Sequence, residues 1–317
     1  MCSQDSDEES YEFFEKIENY IEKAKSVEST TEYSKADSGC YSFVVTSGSY
    51  FTDKERAKII CKQFIKLYDS LDDCKSTSNS DPHRKCSKFL NYWINFKLGE
   101  IMQNDDESFC NVYNGIESQF TGRSENNLNL CVTYHIDKDE LDKMNILYSL
   151  YDKYTDLDTI LKKISKEHKQ SLLTHSSACC IDYIKASYIC NPDNNNNNIN
   201  GKFCEKLKAF QSKYDKLYEE AAGKGSDYSK NFIRLSECGN NKIITTAVTG
   251  SIVGLIPLLG VLYKFTPMVQ VLRSKMGILN NDISKNDEEM IKMSLMDQEN
   301  EQIPFQKKTY NIKYQSL

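Results

Sequence analysis

Histidine and arginine are scarce in this chain, and one stretch lacks charge altogether. Four histidines, His83, His135, His168 and His175, serve 317 residues. None brackets cysteines at zinc-finger spacing and no Cys-x-x-Cys occurs, so no metal site is expected. There is no P-loop, no GxGxxG behind a strand, no GxSxG and no HExxH. Paired acids such as Asp72-Asp73 and Asp105-Asp106-Glu107 stand in polar surroundings with nothing apolar to tune them. No catalytic residue and no cofactor site are therefore expected, and the chain is not expected to be an enzyme. Asn-x-Ser/Thr acceptors are missing despite many asparagines, so N-glycans are not expected to cover the surface. The formal net charge of −6 argues against a nucleic-acid partner. Five of the 40 basic residues are arginine, which leaves 35 lysines, the usage of an AT-rich coding sequence.

Charge is absent between Lys242 and Lys264. Ile243 to Tyr263 is 21 residues of Ile, Val, Leu and Ala, diluted by Thr, Ser, Gly and Pro257. As a helix it rises about 31 Å, the thickness of a bilayer's hydrocarbon core. Gly and Pro are tolerated in membrane helices, and Tyr263, Lys242 and Lys264 suit the two interfaces. A buried core helix is the alternative, but such helices rarely run this long without charge. Residues 1–20 are acidic with no apolar run behind them, so the block itself is expected to act as the targeting signal. Thr246, Gly250 and Gly254 place small residues at four-residue steps, a face on which two such helices can pack as a homodimer; ordinary glycine tolerance is the simpler account.

The flanking basic residues do not orient the span, but cysteine does. All 12 cysteines lie before the block. Disulfides persist in oxidising compartments. Residues 1–238 are therefore expected outside, stapled by bridges drawn from Cys40, Cys61, Cys74, Cys86, Cys110, Cys131, Cys179, Cys180, Cys190, Cys204 and Cys238. Their pairing is open, except that adjacent Cys179 and Cys180 are expected to bond different partners. Residues 239–264 form the transmembrane segment, with its core at 243–263. Residues 265–317 carry seven basic and seven acidic residues, and are expected to be a short, disordered, cytosolic tail rather than a polybasic lipid anchor.

Residues 1–238 read as helices. Apolar residues recur at helical spacing through Phe13–Ala24, Ala57–Leu71, Cys86–Leu98 and Leu141–Ile164. Phe203, Leu207, Phe210, Tyr214, Leu217 and Ala221 form a seam of alternating four- and three-residue steps. Thr52 and Glu55 are spaced as a capping box. Only Tyr41–Val45 looks extended, and Asn191–Gly201 is a low-complexity loop. The expected fold class is all-α: a disulfide-stapled helical ectodomain with one C-terminal transmembrane helix. Trp93 and Tyr92 are expected to anchor the core rather than line a ligand box, and core packing is the default for the 20 tyrosines. Lys162, Lys163, Lys166 and Lys169 are expected to be a solvated helix edge.

Several motifs carry a family resemblance. Cys86-Ser87-Lys88-Phe89-Leu90-Asn91-Tyr92-Trp93-Ile94 resembles the C-x-x-[FY]-[LI]-N-Y-W-[LI] signature of the Plasmodium interspersed repeat proteins, the vir/kir/cir type of malaria variant antigens. Leu147–Tyr154 resembles that family's central helix. Cys180-Ile181-Asp182-Tyr183, followed by Cys190 and Cys204, resembles its second cysteine cluster. Tyr263-Lys264-Phe265-Thr266-Pro267 and Leu272–Gly277 resemble the segment the family places directly after its span. Met268-Val269-Gln270-Val271 departs from the family's Gly-rich continuation. The resemblance implies a variant protein of the blood-stage parasite on parasite or infected host-cell membranes. It would present the helical domain to a host receptor or antibody and have the bilayer as its other partner. An internal membrane adaptor for trafficking or signalling, working through its tail, is the alternative.

Overall fold

The computed structural model describes residues 2–3, 11–30, 32–78, 80–103, 106–120, 133–163, 168–191 and 200–238. All lie in the first of two units into which the chain divides, 1–250 and 251–317. Cys131, the apolar block with Thr246, Gly250 and Gly254, the Phe265-Thr266-Pro267 motif and the tail lie outside the described residues. Among the described residues no helix is long and apolar enough to cross a membrane.

The described body is helical, with α1 (Ile17–Glu28), α2 (Asp37–Ser47), α3 (Lys54–Ser70), α4 (Asp81–Gly99), α5 (Asp106–Phe120), α6 (Lys138–Lys162), α7 (His168–Ile189), α8 (Gly201–Gly223) and α9 (Ser226–Ser229). Two short strands, β1 (Cys2–Ser3) and β2 (Thr133–Tyr134), pair in parallel with Cys2 opposite Thr133.

The centre of the body is α4. Ser80 caps it by accepting from the His83 amide at 3.4 Å, and Pro82 sits in its first turn, where its missing N–H costs nothing. The sequence pattern anticipated one apolar face. The helix is instead buried around its middle, because Asn91, Tyr92 and Asn95 are enclosed along with Phe89, Leu90, Trp93 and Ile94. It packs against α3, α6 and the turns at 12–16 and 72–75. Its aromatics stack on those neighbours: Phe89 on Tyr20 at 4.6 Å and Tyr92 on Phe13 at 5.3 Å between ring centroids. Beyond α4, α6 pairs with α7 and carries α8, whose Phe210 meets Tyr151 edge-on at 5.1 Å. The six residues of the α8 seam are all buried.

Four bridges close this body: Cys40–Cys61, Cys74–Cys86, Cys180–Cys238 and Cys190–Cys204. They join α2 to α3, the 72–75 turn to α4, α7 to the last described residue, and the two ends of the asparagine-rich connection. The Cys180–Cys238 loop spans 58 residues, which corresponds to about 4 kcal/mol of lost chain entropy in the unfolded state. Cys110 is also disulfide-bonded. Cys179 corrects an expectation: it is buried and free. Successive helix residues point about 100° apart, so Cys180 turns toward Cys238 while Cys179 turns into the packing near Lys153, Asp182 and Tyr214.

Two further expectations fail locally. Tyr41–Val45, read as extended, lies in α2. Its β-branched pair favours a strand in isolation, but Cys40, Phe43 and Ser47 supply a buried helical face that overrides the preference. The capping box at Thr52 is displaced by one residue. Asp53 caps α3 by accepting from the Arg56 amide at 2.9 Å, while the Thr52 hydroxyl donates to the Ile101 carbonyl at 3.0 Å.

Candidate functional site

The motif at 86–93 is interior. Cys86 is spent on its bridge to Cys74. Trp93 donates from its indole nitrogen to Glu28 at 3.0 Å, and Lys97 reaches the same carboxylate at 3.1 Å. The Tyr92 hydroxyl donates to the Asn145 side chain at 2.8 Å. Burial holds the Tyr92 phenol well above its ordinary pKa, with the nearby Tyr148, Glu28 and Asp152 reinforcing the shift.

Asn91 has a more specific task, shared with Asn95 one turn later. The Asn91 Oδ1 accepts from the Tyr134 amide at 3.3 Å and from Asn95 Nδ2 at 3.2 Å. Asn95 Nδ2 also donates to the Tyr134 carbonyl at 3.1 Å, and Asn95 Oδ1 accepts from the Ile136 amide at 3.0 Å. Two amide side chains thus pair with the backbone at 134–136 as a neighbouring strand would. Buried peptide groups that no strand serves on this side find partners in α4. The recurrence of Asn at i and i+4 within an apolar helix was a legible signal, but its target was not.

Chemistry available at the surface lies elsewhere. Among the described residues a hollow of ≈ 180 Å³ is lined by Tyr11, Glu12, Lys202, Glu205 and Lys206. Its charges are used in packing, with Glu12 paired to Arg84 at 2.8 Å and Lys206 to Glu15 at 3.5 Å. No group of three His, Cys, Asp or Glu that can hold a metal occurs among the described residues.

The surface best built for contact is the outward face of α2. Tyr41 is 62% exposed and Val45 67% exposed, one helical turn apart. Around them stand hydroxyl residues that satisfy themselves locally. Ser42 donates to the Ser38 carbonyl at 3.0 Å, and Thr46 donates to the carbonyls of Ser42 and Phe43 at 3.1 and 3.0 Å. Lys58 lies 5.6 Å from the Tyr41 ring centroid. The inner side of α2 is rigidly held. Cys40 bonds α3, Lys62 pairs with Asp37, and α5 approaches so closely that a Cβ on Gly39 would stand 2.7 Å from the Phe120 ring. A fixed helix therefore presents an aromatic and an aliphatic group among small polar ones, the composition of a recognition surface. Most of the described tyrosines pack in or against the core, as Tyr20, Tyr92, Tyr113 and Tyr214 illustrate; Tyr41 and Tyr188 depart from that default.

Among the described residues the geometry is that of a helical body closed by disulfides. A family model described as Plasmodium vivax Vir protein matches residues 216–317, from the middle of α8 through the apolar block and the Phe265-Thr266-Pro267 motif to Leu317. The match covers about a third of the chain, and it includes the Phe265-Thr266-Pro267 motif that carried part of the resemblance. The motif at 86–94 lies outside the matched residues. No curated protein and no solved structure matches the chain.

Proposed function

We propose that this chain is a variant surface protein that works by binding, with neither catalysis nor a cofactor. Its helical body faces an oxidising exterior, the 243–263 block spans the bilayer once, and 265–317 forms a disordered cytosolic tail. The outward face of α2 meets a host receptor or antibody. The observation that carries this reading is the distribution of cysteine. Four bridges close the described body, and no cysteine occurs within or beyond the apolar block. That asymmetry fits a chain whose two ends occupy compartments of opposite redox state.

The test is binding of host cells and of antibodies from exposed hosts to full-length protein displayed on a cell surface. Tyr41→Ala and Val45→Asp change exposed side chains, so both variants keep the wild-type bridges and helix content. Binding falls about tenfold when an anchor residue of this kind is lost. Unchanged binding by both variants removes α2 from the reading. Display of the tail rather than the body on the outside removes the topology.

A further inference from the structure

Large exposed apolar side chains occur at two places in the described residues. One is α2. The other is α7, where Ile181 is 48%, Ile184 40% and Tyr188 56% exposed. Spacing of i, i+3 and i+7 sets them on one stripe of the helix. Lys185, also exposed, lies beside them, and its ion-pair geometry to Asp182 is long, at 3.7 Å. Asp182 itself is largely enclosed and pairs with Lys153. The outward side of α7 is thus apolar, aromatic and basic, and none of its exposed described residues is acidic.

A covalent fact distinguishes this stripe from α2. Cys180, next to Ile181, is bonded to Cys238 with their Cα atoms 5.1 Å apart. Five Cα-to-Cα steps, across four intervening residues, separate Cys238 from Ile243, the first residue of the apolar block. Fully extended, they reach about 18 Å. The stripe is therefore leashed near the point where the chain enters the block. Glu237 beside Cys238 is exposed, but it is met by the field of Arg234. The two helices have different neighbours: α2 touches chiefly α3 and α5, whereas α7 touches chiefly α6, α8 and α9.

We propose that the Ile181–Ile184–Lys185–Tyr188 face of α7 is an interfacial lipid contact that seats the helical body on the bilayer. This rests on the single-span reading above and adds an orientation to it. Ile181 and Ile184 enter the boundary between headgroups and acyl chains, Tyr188 sits at headgroup level, and Lys185 meets anionic headgroups. A lipid surface suits this stripe better than a protein partner does, because the leash keeps it near the bilayer whatever else is bound.

The test uses full-length protein in vesicles of phosphatidylcholine with phosphatidylserine, with bromine on the acyl chains near the headgroups. Ile184→Trp reports on the stripe and Leu255→Trp on the apolar block, each read as a difference from wild type, whose single Trp93 is buried. Both variants must keep their buried bridges, Cys40–Cys61 and Cys180–Cys238, protected from mild reductant. The expected result is quenching of both added tryptophans, about twofold for Ile184→Trp, as for a side chain about 5–10 Å into the interface. Quenching at 255 without quenching at 184 overturns the lipid contact and leaves the span intact. Quenching at neither position overturns both. A blue-shifted but unquenched Trp at 184 means that a protein surface, such as a second copy, covers the stripe, and this also overturns the proposal. As a second handle, Ile181→Glu with Ile184→Glu replaces exposed groups and leaves the fold; it releases the body to protease from the membrane side only if the contact exists.

Discussion

Replacing Asn95 with leucine keeps the volume at the heart of α4 and removes its polar pairing with the 134–136 backbone. Three bonds disappear: those to the Asn91 side chain, the Tyr134 carbonyl and the Ile136 amide, at 3.2, 3.1 and 3.0 Å. The 2.8 Å bond to the Asn91 carbonyl goes too, but that group belongs to the helix ladder and is served there. The main penalty is the Ile136 N–H, left buried without an acceptor at about 1–3 kcal/mol; the lost donor to Tyr134 adds about 1 kcal/mol. A total of about 2–4 kcal/mol is expected. Asn91→Leu strips the acceptor from the Tyr134 amide and is expected to cost about 1–3 kcal/mol. The two changes share partners, so the double variant should cost less than the sum. Equilibrium denaturation with the bridges intact measures the totals. Hydrogen exchange at the Ile136 amide measures the mechanism, which should lose protection in Asn95→Leu ahead of amides in α8. A change below about 0.5 kcal/mol with Ile136 still protected would refute a clamp and reduce Asn91 to a bystander in its motif.

Four further outcomes follow from the same packing. Gly39→Ala forces a methyl to within 2.7 Å of the Phe120 ring, and overpacking should cost about 1–3 kcal/mol in a thermal melt; an unchanged melt means α2 and α5 separate freely. Removing the Cys180–Cys238 bridge with two serines should cost about 4 kcal/mol, against about 3 kcal/mol for the 12-residue Cys74–Cys86 loop; the reverse order in chemical denaturation contradicts the loop-entropy account. Burial pushes the Cys179 thiol up, so it should resist maleimide in the native state and react only in denaturant; prompt native labelling shows that α7 and α8 open. Stability should fall in alkali. Burial raises Tyr20, Tyr148 and Tyr214, and pushes Tyr151 up to about 12, from an ordinary value of 10.0. The folded chain then holds protons that the unfolded chain releases, so stability is full below the ordinary value and lost as pH rises through the folded ones. Ionisation of Tyr20, Tyr148 or Tyr214, resolved residue by residue by NMR, well before helix content is lost would contradict the burial.

Periodic residues announced their own roles, and context-dependent ones did not. The α8 seam from Phe203 to Ala221 was readable because its apolar steps fall on one buried face of a helix that packs on α6 and α7. Tyr41–Val45 was not, since its helix depends on Cys40, Phe43 and Ser47 docking against partners remote in sequence. The adjacent Cys179 and Cys180 look equivalent on paper. Only the rotation of α7 separates a bridge from a buried thiol. Asn91 was visible within its motif, but its meaning required β2, which arrives from 43 residues away. The exposed faces of α2 and α7 were hidden for a related reason. A hydrophobic residue in sequence carries no mark of being left outside, and the core is the usual place for it.

The central claim, an oxidised body outside and a cysteine-free tail inside, is most directly tested by thiol accessibility in intact infected cells. A membrane-impermeant maleimide is applied before and after mild reduction, and modified cysteines are mapped by mass spectrometry. The account predicts that Cys190 and Cys204, the bonded pair left partly exposed, are labelled without lysis, and only after reduction. Thiols that are already free and reachable only after lysis would put the body in a reducing space and contradict the account.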